Sequence, residues 1–249
     1  MTSTGFQIMI LRSIRLKLNG SHIYDTELPM GENSESLWFG YRGFNLGHFL
    51  SLRLRNLKFR EAEYGQIVIT ALSGNITDYV GKEGVNVVNN LIIKCSFDKD
   101  YYRSLKTVEE YNEYYIKLYK EGIENILTRT DQPVPKQELF QWMEEYRDGD
   151  YKNVWEFKKR LFREVGIRAV LDCEMTLEEF NLTLRLYRST KNKELLFEEV
   201  ILTTPPDEIY FHHQFKDIRL KGNNIEILTR SSVPENEVFY SLDVSAIKE

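Results

Sequence analysis

The spacing of apolar residues changes twice along this chain, and these changes restrict its fold more than any other feature of the sequence. In the first hundred residues apolar and polar side chains alternate, most clearly at Ile14, Leu16 and Leu18, as in half-buried strands. Over residues 101–166 apolar side chains recur every three or four positions, which is typical of helices, and alternation then returns. Because the strand and helix patterns are segregated, the sequence predicts an α+β fold.

The N-terminal region is predicted to be rich in strands that glycine-containing turns separate. Gly40, Gly43 and Gly47 indicate one of these turns, because glycine readily adopts the positive φ that tight turns need. In one predicted strand the apolar positions change from even to odd numbers, which predicts a bulge or break at Asn56. The predicted strands cover residues 14–18, 36–41, 50–59, 66–72 and 85–97.

Three helices are predicted in the middle of the chain. Thr107 with Glu110 three residues later forms a capping-box pattern, which marks the start of the first helix. The second helix follows Pro135 and is expected to end near Gly149, because glycine commonly terminates helices. The third helix is predicted over residues 153–166, with an asparagine as its N-cap.

After residue 166, short alternating segments separated by turns predict an antiparallel β meander. No Pro/Gly-rich linker separates the three regions, so we expect a single composite domain of residues 1–249. Its lobes would be a β-rich part, a helical part and an antiparallel β part, at residues 1–100, 101–166 and 167–249. The predicted C-terminal strands cover residues 167–171, 180–186, 195–202, 217–221, 225–229 and 238–244.

Net charge and cysteine content narrow the compartments and partners to expect. The 33 Lys and Arg residues are outnumbered by 38 Asp and Glu, giving a net charge of −5, which argues against sequence-independent nucleic-acid binding and suits a basic protein partner. Cys95 and Cys173 are the only cysteines and form no CxxC pair, so two buried thiols in a reducing cytoplasm are expected. Because no apolar stretch is long enough for a transmembrane helix, we expect a cytoplasmic protein with no membrane partner.

Two acidic residues end an apolar strand pattern, where the sequence reads Val-Leu-Asp172-Cys-Glu174. This pattern resembles the first motif of the DEDD exonuclease family, and His212 with Asp217 resembles the family's His-x4-Asp motif. The resemblance implies a 3′–5′ exonuclease in which the carboxylates bind two divalent metal ions and His212 acts as the general base. The residues after Asp172 carry strand patterns where the family places helices, so the exonuclease is kept as an alternative hypothesis.

Three residues are candidates for contacting a protein partner. Arg53 and Arg55 share one face of the strand predicted over residues 50–59, where they form a basic strip. Tyr114 lies off the apolar stripe of the first predicted helix, and an exposed aromatic ring can anchor a protein interface.

The leading hypothesis is a non-enzymatic protein-binding protein that uses no cofactor and no metal. Its modest acidic balance and its mixture of strands and helices are similar in general character to bacterial immunity proteins, antitoxin-type inhibitors that neutralise a toxin. Under this hypothesis an acidic and aromatic surface occludes a basic cleft of the toxin, and charge steers the encounter. A structural or assembly subunit is the third alternative.

Overall fold

The computed structural model describes residues 9–18, 34–73, 83–86, 88–206, 214–230 and 237–247. A sheet comes first, helices follow in the middle, and antiparallel sheets occupy the C-terminal part, which confirms the predicted α+β fold class. The chain divides into two compact units, Met1–Asn153 and Val154–Glu249. The single composite domain stays a prediction, and the boundary at residue 153 coincides with neither of the predicted lobe boundaries.

The first unit is built on a four-stranded sheet with the strand order β1-β2-β4-β3. Strands β1, β2 and β4 run parallel, with Ile67 of β2 opposite Ile14 of β1 and Leu91 of β4, whereas β3 is antiparallel to β4. All three of these apolar side chains are buried. The strands are β1 (Ser13–Leu18), β2 (Gln66–Ser73), β3 (Gly84–Val85) and β4 (Asn90–Phe97), and the helices are α1 (Ser34–Leu57), α2 (Lys99–Ser104), α3 (Val108–Arg129) and α4 (Lys136–Asp148).

Helix α1 replaces two predicted strands, so the predictions for residues 36–41 and 50–59, and for a bulge at Asn56, are wrong. Its buried side chains include Leu46, Leu50 and Leu54, whose spacing of four residues places them on one helix face. Residues 40, 43 and 47 are glycines inside this helix rather than a turn. A Cβ atom on Gly43 would lie 3.1 Å from a ring carbon of Tyr115 on α3, so glycine here permits close contact between the two helices.

The predicted start of the first central helix and the predicted end of the second are confirmed, whereas the third predicted helix is a strand in the structure. Thr107 and Glu110 form the complete capping box that starts α3, and Gly149 is the C-cap of α4. The segment Asn153–Phe162 forms strand β5. Trp155 and Phe157 contact the rings of Phe180 and Phe215, respectively, so this segment follows the two-residue period of a strand rather than a helical one.

The second unit consists of two sheets, which confirm the predicted antiparallel C-terminal strands. One sheet has the order β5-β6-β7-β8 and the other β11-β10-β9. Leu171 of β6 and Leu184 of β7 are opposite each other in the register and fully buried. The remaining strands are β6 (Ile167–Met175), β7 (Phe180–Arg188), β8 (Leu195–Thr204), β9 (Phe215–Lys221), β10 (Asn224–Thr229) and β11 (Val238–Asp243).

The structure bears on two further sequence-based expectations, namely that the cysteines are buried and that the chain has no transmembrane helix. Cys95 on β4 and Cys173 on β6 are buried free thiols, as the sequence predicts. Among the helices that the structure describes, none is both long enough and apolar enough to cross a membrane.

Candidate functional site

Asp172 and Glu174 lie side by side on the half-buried face of β6, as alternation along a strand requires. The Asp172 carboxylate accepts a 2.7 Å hydrogen bond from Nη1 of Arg185 on β7, and Nε of Arg185 donates a 2.9 Å bond to Glu198 on β8. These contacts raise the pKa of Arg185 above its ordinary value. The first acidic residue of the exonuclease-like motif is therefore part of an ion-pair network that crosses three strands.

Asp217 is on β9, a strand of the other sheet in the same unit. Both of its carboxylate oxygens accept hydrogen bonds from Arg160, at 2.8 and 2.5 Å, and Lys158 lies 3.6 Å away. The hydrogen bonds from Arg160 lower the pKa of Asp217 to about 2. His212 lies outside the described residues.

No three described histidine, cysteine or acidic residues converge in a group that could hold a metal ion. The arginines beside Asp172 and Asp217 take up carboxylate oxygens that the exonuclease resemblance would assign to metals. Asp172 and Glu174 share one face of β6, whereas Asp217 lies on β9 of the other sheet and pairs with Arg160, and the exonuclease stays a prediction.

The three residues proposed to contact a protein partner are placed differently from the expectation. Arg53 and Arg55 belong to α1, where residues two apart point to different sides, so the predicted basic strip on one face is wrong. The Arg53 guanidinium lies over the ring of Phe49 at 3.5 Å from its centroid, and its Nε is 3.5 Å from Glu145. Arg55 is exposed.

Tyr114 is buried, with 3% of its surface exposed, so the prediction that it lies off the apolar face is wrong. Its ring contacts Phe97 and Tyr102, and its hydroxyl accepts a 3.0 Å hydrogen bond from the backbone N–H of Asp98. Burial raises the pKa of Tyr114 to about 12. The ring is part of the core where α3 packs on β4 rather than an interface anchor.

A cavity of about 290 Å³ in the first unit is lined by two arginines and three aromatic residues: Trp38, Arg42, Tyr102, Arg103 and Tyr111. Trp38 and Arg42 are four residues apart on α1 and so share one face of the helix. The Arg42 guanidinium lies over the ring of Tyr111, 4.2 Å from its centroid, and 5.7 Å from the Trp38 ring. We call this group the arginine–aromatic cavity.

A chain of tyrosine hydroxyls fixes the inner wall of the arginine–aromatic cavity. The Tyr102 hydroxyl beside Arg42 is 3.1 Å from that of Tyr115, and Tyr115 donates a 3.0 Å bond to the carbonyl of Phe39. Burial opposes the charged form of Arg42, but the neighbouring Tyr102, Tyr111 and Tyr115 raise its pKa above the ordinary value. Arg42 is therefore held as a cation in a fixed position.

A second polar cluster in the first unit is fully buried. Tyr146 of α4 accepts a hydrogen bond from Asn45 of α1 and donates one to Asn112 of α3, both at 2.8 Å. Asn153 donates a 3.2 Å bond to the carbonyl of Asn45 and lies 3.1 Å from Nδ1 of His48. Apart from Oδ1 of Asn45, which has no hydrogen-bond partner in the described part of the chain, these groups bond one another inside the core. The cluster therefore joins the helices rather than forming an open site.

Strand β8 is an edge strand of its sheet and carries exposed apolar side chains. Leu195 is 49% exposed and Val200 is 53% exposed. Two carboxylates, Glu198 and Glu199, lie between them, and the strand contains no lysine or arginine. The pairing of β8 with β7 shifts register at two points. Such irregularities are common in edge strands.

Comparison with known proteins finds no matching family model, no matching curated sequence and no matching solved structure.

Sequence reasoning missed the arginine–aromatic cavity because it interpreted the first half of α1 as strand and turn. The signal was present in the spacing, since Trp38 and Arg42 become neighbours only if residues 38–42 are helical. Strand β8 was predicted from the sequence as the return strand of a hairpin, but its position at the edge of the sheet requires the three-dimensional pairing.

Proposed function

We propose that this chain is a cytoplasmic protein-binding protein, of the antitoxin or immunity type, and that it binds a basic protein partner through the outer edge of β8. The observation that carries the proposal is the pair of exposed side chains Leu195 and Val200 on an edge strand that also bears Glu198 and Glu199. Soluble proteins seldom leave apolar side chains along a sheet edge, because such an edge readily pairs with another chain.

The partner that fits this edge is an extended segment rich in lysine or arginine. Such a segment adds a strand through backbone hydrogen bonds, and its side chains meet those of β8. Glu198 already contacts Arg185, and the Tyr240 hydroxyl hydrogen-bonds Glu199. A carboxylate has further lone pairs, and exposed ion pairs are weak, so a cation of the partner can be added to these contacts.

The test compares two valines on opposite edges of the same sheet. Val200→Arg places a positive charge at the proposed interface, whereas Val154→Arg places it on β5, at a site that is 58% exposed. The probe is the purified protein encoded beside this chain, and binding is measured by calorimetry. We expect Val200→Arg to weaken binding about tenfold or more, because like charges repel across an interface, and Val154→Arg to bind as the wild type does.

Protection from the neighbouring gene product on coexpression is the matching cellular measurement, and Val200→Arg is expected to reduce it. The proposal fails if the wild type neither binds that protein nor protects against it. Equal weakening by both arginine variants would contradict the assignment to β8. A wild-type dimer that Val200→Arg converts to a monomer would show that a second copy occupies the edge, which is the assembly-subunit alternative.

A further inference from the structure

Two arginines of α1 have similar aromatic contacts but different charge partners. Arg53 lies over Phe49 and has its Nε 3.5 Å from the Glu145 carboxylate. Arg42 lies over Tyr111 and Trp38, and the neutral Tyr102 hydroxyl lines the same cavity. Among the residues that the structure describes, none supplies a carboxylate ion pair to Arg42.

The Nε atom of Arg42 is buried and has no hydrogen-bond partner within the described part of the chain. A buried donor without an acceptor costs free energy comparable to a lost hydrogen bond. An anionic acceptor in the arginine–aromatic cavity would provide the negative charge that Arg42 lacks. It would also accept hydrogen bonds from guanidinium N–H groups, which are strong when the acceptor is charged.

The cavity itself has the composition of an oxyanion site. Arg42 is half-buried at the inner wall, whereas Arg103 of α2 is exposed at the cavity. Planar guanidinium groups suit phosphate and carboxylate oxygens geometrically. The rings of Trp38 and Tyr111 supply apolar surface for the body of a small molecule, and a volume of about 290 Å³ is near the lower end of the range for small-molecule sites.

We propose that the arginine–aromatic cavity binds the oxyanion group of a small molecule, a phosphate monoester or a carboxylate, with Arg42 as the inner charged donor. Arg103 contributes a second positive charge at the cavity, and Trp38 and Tyr111 contact the body of the ligand. This site is in the first unit and uses no residue of β8, so its test is independent of the test of the proposed function.

The experiment titrates the full chain by calorimetry with phenyl phosphate, benzoate, inorganic phosphate and uncharged benzyl alcohol. Trp38 fluorescence is followed in parallel in a variant in which Trp142 and Trp155 are replaced by phenylalanine. We expect saturable binding of phenyl phosphate or benzoate, no saturable binding of benzyl alcohol, and weaker binding at higher salt. Comparison of phenyl phosphate with benzoate identifies which oxyanion the cavity prefers, and inorganic phosphate shows how much the ring contributes.

The control is the other arginine of α1. Arg42→Gln is expected to weaken binding about tenfold or more, because it removes a charge-assisted interaction, whereas Arg53→Gln is expected to bind as the wild type does. Arg42→Lys keeps the charge and is expected to retain part of the affinity, and it replaces Arg42→Gln if that variant does not fold. The proposal is overturned if the wild type binds no anion saturably, or if the Arg42 and Arg53 variants lose affinity equally.

Discussion

The side-chain amide of Asn45 donates a 2.8 Å hydrogen bond to the hydroxyl of Tyr146, 101 residues further along the chain. Both side chains are fully buried. The same hydroxyl donates to Oδ1 of Asn112, so one oxygen joins helices α1, α3 and α4. A buried hydroxyl with a donor on one side and an acceptor on the other fixes how the three helices pack.

Tyr146→Phe removes this oxygen and leaves the Asn45 amide and the Asn112 carbonyl without that partner. We expect it to lower the free energy of unfolding by about 1–3 kcal/mol, the cost of unsatisfied buried polar groups. Tyr151→Phe is the control, because the Tyr151 hydroxyl bonds Glu113 in a half-buried position and Glu113 keeps two bonds to Arg147 without it, so its loss should cost less than that of the Tyr146 hydroxyl. Urea unfolding measures both, and equal losses would contradict the linking role of Tyr146.

Gly122 is the point where α3 packs directly on β2. A Cβ atom there would lie 2.6–2.7 Å from three side-chain carbons of Ile69, so Gly122→Ala is expected to destabilise the protein by about 1–3 kcal/mol through overpacking. Gly40 is also inside a helix, but within the described part of the chain nothing lies within 4 Å of the point that an alanine Cβ would occupy, so Gly40→Ala should stabilise by about 0.5–1 kcal/mol. Thermal unfolding of the two variants checks the opposite signs, and a stabilising Gly122→Ala would contradict the packing.

The strands of the second unit and the glycines of α1 show which parts of the fold could be predicted from the sequence. Strand β7 was identified by its side-chain alternation, β6 by its short apolar run and β8 by the turn that precedes it. Helix α1 was missed because its glycines are typical of turns, although Gly43 is required for close approach to Tyr115. Tertiary packing supplies the reason for those glycines, and a single sequence does not contain it.

The candidate sites also combine local features that the sequence predicts with long-range contacts that it does not. The Asp172 and Glu174 pair was correctly placed on one face of a strand, yet its partner Arg185 is on β7 and becomes visible only through the strand register. Residue 153 looked like a helix cap because asparagine is common there, but its side chain contacts Asn45 and His48 instead. Long-range partners of this kind decided the outcome against local patterns.

The ion pair between Asp217 and Arg160 is expected to make the stability of the second unit fall at low pH. Its pKa in the folded protein is lowered from 3.8 to about 2, mainly by the Arg160 hydrogen bonds, so the pair stabilises the fold above about pH 4 and loses this effect as the pH falls towards 2. Because Arg160 is 46% exposed, we expect Asp217→Asn to cost only about 1 kcal/mol at pH 7. Urea unfolding at several pH values should show this difference shrink steadily below about pH 4 and fall to a small fraction near pH 2. A difference that persists unchanged there would contradict the ion-pair explanation.

The two cysteines provide separate reporters of the two units, since Cys95 lies in the first and Cys173 in the second. Burial raises the pKa of both thiols well above the ordinary value, and the thiolate is the reactive form. With Cys95→Ala and Cys173→Ala each leaving one thiol, we expect labelling by an aromatic disulfide reagent to be at least about a thousandfold slower in the native protein than in guanidinium, because reaction requires opening of the core. A thiol that reacts as fast in the native protein as in the unfolded chain would show that its strand is not buried. The control replaces each cysteine with serine instead of alanine. The remaining thiol should be equally protected in both variants, which would show that the substitution itself does not destabilise the unit.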